Sequence, residues 1–136
     1  MISRQINIRV RYAETDQMGY VYYGNYAAYF EMGRVELLRS IGTSYKELED
    51  QGIILPVRDF SIRYIKPALY DDFLTLTTAL TETPSTRIHF AYQLHNEEGN
   101  LLCKAETTLV FVDKKSGRPV SVPEDLKEKM IASADH

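Results

Sequence analysis

Residues 25–41 read NYAAYFEMGRVELLRSI, and their apolar side chains recur at the three- and four-residue spacing of an α-helix. The members of this apolar face are Tyr26, Tyr29, Phe30, Gly33, Leu37, Leu38 and Ile41. The pattern predicts one helix of about 17 residues, roughly 26 Å long, with Asn25 as its N-cap and Gly42 just beyond its C-terminus. Gly33 lies on the apolar face. This position indicates that the helix approaches a packed surface closely there, rather than that the glycine is merely tolerated.

Strand patterns lie on both sides of this helix. Alternating or β-rich segments span residues 4–12, 59–64, 72–82, 88–94 and 101–112. We also expect a short helix over residues 43–51, a hairpin turn at 96–100 with Gly99 at positive φ, and an exposed helix after Pro123. One long apolar helix beside a mostly antiparallel five-stranded sheet is an α+β arrangement, and its simplest form curves the sheet around the helix. Pairing of open edge strands then predicts a dimer.

The composition is typical of one globular domain, here residues 1–136. Apolar residues make up 44% of the chain and the net charge is −3. Without a basic tract, a nucleic-acid partner is disfavoured. The sequence also lacks a secretory signal and any run of membrane-spanning length, so we expect a cytoplasmic protein with no membrane insertion.

The residues that usually bind metals are sparse. The single Cys103 excludes an internal disulfide and a multi-cysteine site. His89, His95 and His136 have no metal-ligand spacing. We therefore expect neither a metal site nor a cofactor.

Residues 15–26, TDQMGYVYYGNY, place a lone acid, Asp16, ahead of the long helix. The simplest interpretation is a turn aspartate whose side chain accepts a hydrogen bond from a backbone N–H two residues on. The functional interpretation is acyl transfer. Amides at a helix start stabilise an oxyanion, by about 3 kcal/mol per donor, and a nearby carboxylate attacks the carbonyl or deprotonates a water.

The segment YAETDQMGYVYYGNYAAYFEMGR resembles the signature of hotdog-fold acyl-CoA thioesterases of the 4-hydroxybenzoyl-CoA thioesterase family, which include those associated with the Tol-Pal system. The resemblance continues through FSIRYIKPALYDD and VFVDKKSGRPVSVP, so it extends over nearly the whole chain. It implies a five-stranded antiparallel sheet wrapped around one long helix, and active sites at a dimer interface. It also implies an acyl-CoA substrate and a homodimer or a homotetramer.

The resemblance also implies roles for individual residues. Asp16 matches the catalytic carboxylate, as nucleophile or as general base. Tyr23 matches the position whose backbone N–H polarises the thioester carbonyl. Gly19 and Asn25 match positions that shape the substrate-binding loop and the helix start. Arg87 falls where some relatives bind the CoA nucleotide, although a solvated charge is the commoner use of such a residue.

Three other functions compete with thioester hydrolysis. A hotdog hydratase or dehydratase needs a histidine at the active helix, and the chain has none before His89. A non-catalytic module that binds acyl thioesters or a partner would keep the fold and tolerate the loss of Asp16. A ligand-free interaction domain would leave the glycine-flanked loop unexplained.

Overall fold

The computed structural model describes residues 2–134; His136 lies outside them. It contains three helices, α1 (Asn25–Ser40), α2 (Tyr45–Asp50) and α3 (Glu124–Ala134). The strands, in chain order, are β1 (Ile2–Arg9), β2 (Ile53–Ile54), β3 (Val57–Tyr64), β4 (Phe73–Leu80), β5 (Arg87–His95), β6 (Leu101–Val110) and β7 (Val112–Asp113). Within the described residues, no helix has the length and apolar character needed to cross a membrane.

Five strands form one antiparallel sheet in the order β1-β4-β5-β6-β3. Successive side chains of a strand point to opposite faces of the sheet, so every second residue faces α1. In β4 these inward residues are Leu74, Leu76, Thr78 and Leu80. This α+β arrangement of one long helix on a five-stranded antiparallel sheet confirms the predicted hotdog fold. The strands β1 and β3 are the two edges of the sheet.

The helix α1 packs on the sheet through the predicted apolar face. Tyr29, Phe30, Leu37 and Leu38 are almost completely buried. At Gly33 an added Cβ would overlap Thr78 Oγ1 and lie 2.8 Å from Leu76 Cδ2. The predicted close approach at Gly33 is therefore confirmed. Thr78 Oγ1 is itself buried without a hydrogen-bond partner among the described residues.

The ends of α1 differ in how well the sequence predicted them. Gly42 has φ +93° and follows the C-cap Ile41, as expected. Asn25 is not the N-cap: Gly24 occupies that position, and α1 begins at Asn25. The Asn25 amide instead donates a hydrogen bond to the Glu14 carbonyl, 2.8 Å away. Asn25 therefore attaches the preceding loop to the helix, because its side chain donates to a distant carbonyl instead of accepting a hydrogen bond from a nearby helix N–H.

Other differences lie at element boundaries and surfaces. The first strand ends at Arg9 rather than at residue 12, because residues 12–14 form a single 3₁₀ turn. β2 and β7 pair as a small second sheet that no local pattern indicated. The C-terminal helix is present but not wholly exposed, since Leu126 and Met130 are buried in the core. The hairpin turn is as expected, with Gly99 at φ +84°.

Candidate active site

Glu14 organises the loop between β1 and α1. Its carboxylate accepts hydrogen bonds from the Arg11 N–H and the Tyr29 hydroxyl, each at 2.9 Å, and from the Arg11 guanidinium at 3.0 Å. Its carbonyl accepts hydrogen bonds from the Tyr22 N–H at 2.9 Å and from the Asn25 amide. Burial alone would raise the pKa of Glu14, but the hydrogen bonds from Arg11 and Tyr29 together lower it. One ionised side chain thus joins the loop to the helix start.

Asp16 is held in the turn that follows. Its Oδ1 accepts hydrogen bonds from the N–H groups of Met18, at 2.9 Å, and Tyr20, at 3.2 Å. The Gly19 N–H donates to the Asp16 carbonyl at 3.0 Å, and Gly19 has φ +76°, a conformation that glycine adopts readily. The turn interpretation of Asp16 is therefore confirmed. It leaves Oδ2 without a hydrogen-bond donor among the described residues, so a positioned carboxylate keeps one oxygen for a ligand.

Asp16 lies in a cleft of about 310 Å³ between this turn, the start of α1 and the end of β3. We call it the Asp16 cleft; its lining residues are Asp16, Tyr20, Val21, Tyr23, Tyr26, Tyr64, Ile65, Lys66 and Pro67. Its floor is aromatic, with the Tyr26 and Tyr64 rings edge to face at 5.2 Å. The Tyr26 hydroxyl accepts a hydrogen bond from the Ala68 N–H, and burial raises the pKa of Tyr26 to about 12. This hydroxyl is therefore neutral at ordinary pH.

Tyr23 lines the same cleft. It follows Tyr22 in a turn closed by the Asn25 N–H, which donates to the Tyr22 carbonyl at 2.9 Å. Within residues 2–134, the Tyr23 N–H has no hydrogen-bond acceptor. The Tyr23 ring is 67% exposed and packs on Tyr22 with their centroids 4.7 Å apart. The main-chain amide, rather than the hydroxyl, is the group that the loop fixes in place.

A second cleft, of about 350 Å³, lies between α1 and the other end of β3. We call it the Arg34 cleft; its lining residues are Gly24, Ala27, Ala28, Phe30, Glu31, Arg34, Val57, Phe60 and Thr107. Arg34 is only 6% exposed. Its Nε donates to the Tyr45 hydroxyl at 3.1 Å and its Nη1 donates to the Tyr92 hydroxyl at 3.2 Å. Within the described part of the chain it forms no ion pair.

The predicted site residues do not all meet within the described chain. Asp16 and Tyr23 line the Asp16 cleft, and Gly19 and Asn25 shape the loop beside it. Arg87 lies elsewhere, at the start of β5, near His89 and Glu82. Arg87 and Leu94 lie seven positions apart along β5. Leu94 pairs with Cys103 of β6, and Cys103 pairs with Tyr64 of β3, which lines the Asp16 cleft. That separation is roughly 23 Å at about 3.3 Å per residue.

Sequence reasoning missed the organising role of Glu14 and the burial of Arg34. Arg34 lies four residues after Phe30 and four before Leu38, so this spacing predicts that it lies on the buried face of the helix. Glu14 carried no comparable signal beyond its spacing of three from Arg11. Its main partners, Tyr29 and Asn25, meet it only after the chain has folded back. Three or more His, Cys, Asp or Glu side chains do not cluster as metal ligands anywhere in residues 2–134.

A family model described as the thioesterase-like superfamily matches residues 10–130. The chain belongs to this superfamily. YneP of Bacillus subtilis (strain 168) is 38% identical over 113 residues, which cover 83% of this chain and 82% of YneP. The acyl-CoA thioester hydrolase YbgC of Escherichia coli O6:H1 is 34% identical over 119 residues, covering 88% of this chain and 89% of YbgC.

Solved structures agree with this assignment. A DHNA-CoA thioesterase from Staphylococcus aureus superimposes with a TM-score of 0.92 at 33% identity, over 99% of this chain and 93% of that one. A 4-hydroxybenzoyl-CoA thioesterase variant complexed with 4-hydroxybenzoyl-CoA gives a TM-score of 0.85 at 21% identity. That match covers 95% of this chain and 99% of that one, and it bears on the fold alone. The family resemblance predicted from the sequence is thus confirmed.

Proposed function

We propose that the protein hydrolyses an acyl-CoA thioester to a carboxylic acid and free CoA. The observation that carries this proposal is the shared cleft of Asp16 and Tyr23, where a carboxylate oxygen and a backbone N–H both lack a partner among the described residues. The name of YbgC, an acyl-CoA thioester hydrolase 34% identical to this chain, supports the same substrate class. The proposal includes a cytoplasmic location, on the sequence grounds already given.

The chemistry follows from these two groups. The Tyr23 N–H donates to the thioester oxygen and stabilises the negative charge that develops when the carbonyl carbon is attacked. Asp16 has two routes, both of which the sequence left open. As general base it takes a proton from water, whose oxygen bonds to the carbonyl carbon as the carbon–sulfur bond breaks and CoA thiolate leaves. As nucleophile it displaces the thiolate, forms a mixed anhydride and releases the acid when water attacks that anhydride.

The proposed enzyme is a homodimer that pairs β3 with the β3 strand of a second copy; a homotetramer would associate two such dimers. No strand in residues 2–134 pairs with the outer edge of β3, and its helix-side residues are exposed although they are aromatic: Phe60 is 43% and Tyr64 48% exposed. An unpaired edge with apolar side chains is a surface that proteins cover. The other edge, β1, is polar at Ser3, Gln5 and Asn7.

Dimerisation gives Arg87 a role that the single subunit does not. Antiparallel pairing centred on β3 lays Tyr64 beside the partner's Val57, at the end of the sheet where β5 begins. The partner's Arg87 is then three strand spacings away, about 14 Å. An extended pantetheine arm spans such a distance. In this proposal Arg87 therefore binds the CoA phosphates of the neighbouring subunit's site.

The test is thiol release from a panel of short, long and aromatic acyl-CoAs by wild type and Asp16→Asn. We expect kcat to fall by about 10²- to 10⁴-fold, the range for a lost catalytic acid or base, with ligand binding and dimerisation retained. Two variants at Tyr23 separate the amide from the side chain. Tyr23→Phe should stay active, whereas Tyr23→Pro removes the N–H at a turn position that accepts proline and should not.

The competing function is a non-catalytic module that binds acyl thioesters. It predicts acyl-CoA binding with equal, negligible thiol release from wild type and Asp16→Asn. That pair of results would overturn the hydrolase proposal for the panel and establish the binding module instead.

A further inference from the structure

Lys66 is the cationic residue in the lining of the Asp16 cleft, and the proposed chemistry does not use it. The acid of this lining is Asp16. The other titratable side chains there are the hydroxyls of Tyr20, Tyr23, Tyr26 and Tyr64. Among the described residues that line the cleft, one cation therefore shares a small space with one carboxylate.

The end of β3 holds the backbone of Lys66 in place. The carbonyl oxygen of Leu102, a core residue that is 1% exposed, accepts hydrogen bonds from the N–H of Ile65 at 2.8 Å and from the N–H of Lys66 at 3.0 Å. Pro67 follows, and its ring restricts the backbone φ at that position. The Lys66 side chain is exposed and forms no ion pair with any described residue. A flexible stem thus carries an uncommitted ammonium group from a fixed point of the backbone.

Asp16 and Lys66 belong to different walls of the cleft. Asp16 lies in the turn before α1, whereas Lys66 follows the last residue of β3, and Tyr23 lines a third side at the start of α1. The cleft measures about 310 Å³, so its walls lie within about one Debye length, roughly 8 Å, of each other. A ligand between the walls therefore experiences both charges with little screening by salt.

We propose that Lys66 is a further catalytic residue of the hydrolysis, whose ammonium group stabilises the thiolate as it leaves. After the carbonyl carbon is attacked, the carbon–sulfur bond breaks and its electron pair stays on sulfur. Lys66 Nζ donates an N–H hydrogen bond to that sulfur, and the thiolate takes a proton from water after its release. This inference rests on the proposed function and adds the group that acts on the departing sulfur, from the same subunit as Asp16.

The contribution comes from charge rather than from proton transfer. A lysine ammonium ordinarily has a pKa of about 10.4 and an alkyl thiol such as that of cysteine one of about 8.5, so the proton stays on nitrogen. Loss of one donor to a developing charge typically costs about 10²- to 10³-fold in a site that excludes water. Because Lys66 is exposed, we expect less from Lys66→Met, about 10- to 100-fold in kcat/KM.

The first measurement varies the leaving thiol while the acyl group stays the same. The substrates are the thioesters of CoA, of pantetheine, which lacks the nucleotide and its phosphates, and of 4-nitrothiophenol, whose ring stabilises the thiolate by itself. We expect Lys66→Met to lose kcat/KM with both alkyl thioesters and to lose little with the nitrothiophenyl thioester. Lys66→Arg keeps the charge and should retain most of the activity. Because kcat/KM reports the steps through thiol departure, the result holds for either route of Asp16.

The matched control is Lys104→Met. Lys104 is an exposed lysine of β6 that does not line the Asp16 cleft, so this variant should behave as wild type with all three thioesters. A loss confined to the CoA thioester would show that Lys66 binds phosphate. Equal losses with all three thioesters would show a general effect on the fold or on the acyl group. Either result, or unchanged kcat/KM in Lys66→Met, would overturn the proposal.

The second measurement needs no turnover. The protein is Asp16→Asn, which removes the repulsion between a carboxylate and a bound thiolate, and the ligands are CoA and S-methyl-CoA. Calorimetric titration in two buffers that differ in protonation enthalpy gives the number of protons released on binding. We expect CoA to release more protons than S-methyl-CoA at pH values just below the thiol's ordinary pKa, because the ammonium favours the thiolate. This difference should disappear in Asp16→Asn/Lys66→Met and persist in Asp16→Asn/Lys104→Met.

The titration separates this inference from the proposed hydrolysis. If wild type releases no thiol from any thioester, the hydrolase proposal fails, whereas the role of Lys66 at the sulfur is decided by proton release alone. A difference between CoA and S-methyl-CoA that depends on Lys66 would support that role without turnover. Equal proton release with the two ligands, or a difference that survives Lys66→Met, would contradict it.

Discussion

The start and the middle of α1 are ordered by different interactions. At the start, Glu14 and Asn25 join loop to helix through hydrogen bonds, while the Tyr23 ring and part of Asp16 remain accessible. In the middle, Gly33 touches Thr78 and Leu76 so closely that no side chain fits. Hydrogen bonds hold the loop in position and leave it accessible to solvent, whereas packing holds the middle of α1 in position by burying it. Of the two regions, only the helix start holds groups that are both fixed in position and open to a ligand.

The packed middle should lose stability when a side chain is added to it. Gly33→Ala places a Cβ against Thr78 Oγ1 and Leu76, and overpacking of this kind typically destabilises by about 1–3 kcal/mol. Alanine in a helix interior would otherwise stabilise by about 1 kcal/mol over glycine. We therefore expect a net loss in the free energy of unfolding, measured by urea denaturation.

A second substitution identifies the clash as the cause. Thr78→Ala removes the nearest atom, so the double variant Gly33→Ala/Thr78→Ala should lose less stability than the sum of the two single variants. A Gly33→Ala protein as stable as wild type would mean that helix and sheet separate easily there. The contrast between a tight middle and an open start would then not hold.

This contrast also explains what the sequence revealed. The contact face of α1, which includes Gly33, was predictable because apolar residues recur there at the three- and four-residue spacing of a helix. The Asp16 turn was predictable because its hydrogen bonds reach only two to four residues along the chain. In both cases the determining residues are close in sequence.

The remaining features depend on contacts between distant segments. Asn25 was assigned as a cap by local preference, yet it bonds to Glu14, eleven residues earlier. Leu126 and Met130 of the C-terminal helix are buried because the helix returns to the core, which its charged sequence does not indicate. The separation of Arg87 from Asp16 follows from strand order, and strand order is set by pairing across the whole sheet.

Glu14 makes the stability of the loop at the start of α1 depend on pH. Glu14→Gln removes the charge that Arg11 and Tyr29 bind, and hydrogen bonds to charged groups contribute about 1.5–3 kcal/mol. The pKa of Glu14 is lowered in the folded state, so its stabilisation is present above the unfolded pKa and is lost as pH falls through the lowered folded value. The stability difference between wild type and Glu14→Gln should therefore be full at neutral pH and shrink under acid.

Activity separates positioning by Glu14 from simple stabilisation. If Asp16 and Tyr23 act as proposed, Glu14→Gln should lower kcat more than it changes KM, because both groups would shift relative to the substrate. Glu14→Asp should restore part of kcat. Glu36→Gln, which loses an exposed pair with Arg39, should change stability by less than about 1 kcal/mol. A Glu14→Gln protein with a pH-independent stability difference would contradict the assigned role.

Gly19 is a position where the loop depends on backbone conformation alone. Gly19 has φ +76°, and an added Cβ would meet no atom of the described part of the chain within 4 Å, so there only the left-handed conformation opposes a side chain. Gly19→Ala should destabilise by about 1–2 kcal/mol, whereas Gly19→Asn should be milder because asparagine tolerates this conformation. Urea denaturation of both variants measures the difference. Equal losses would instead indicate that a covering surface, such as a second subunit, excludes any side chain there, and the loop would then resemble the packed middle of α1.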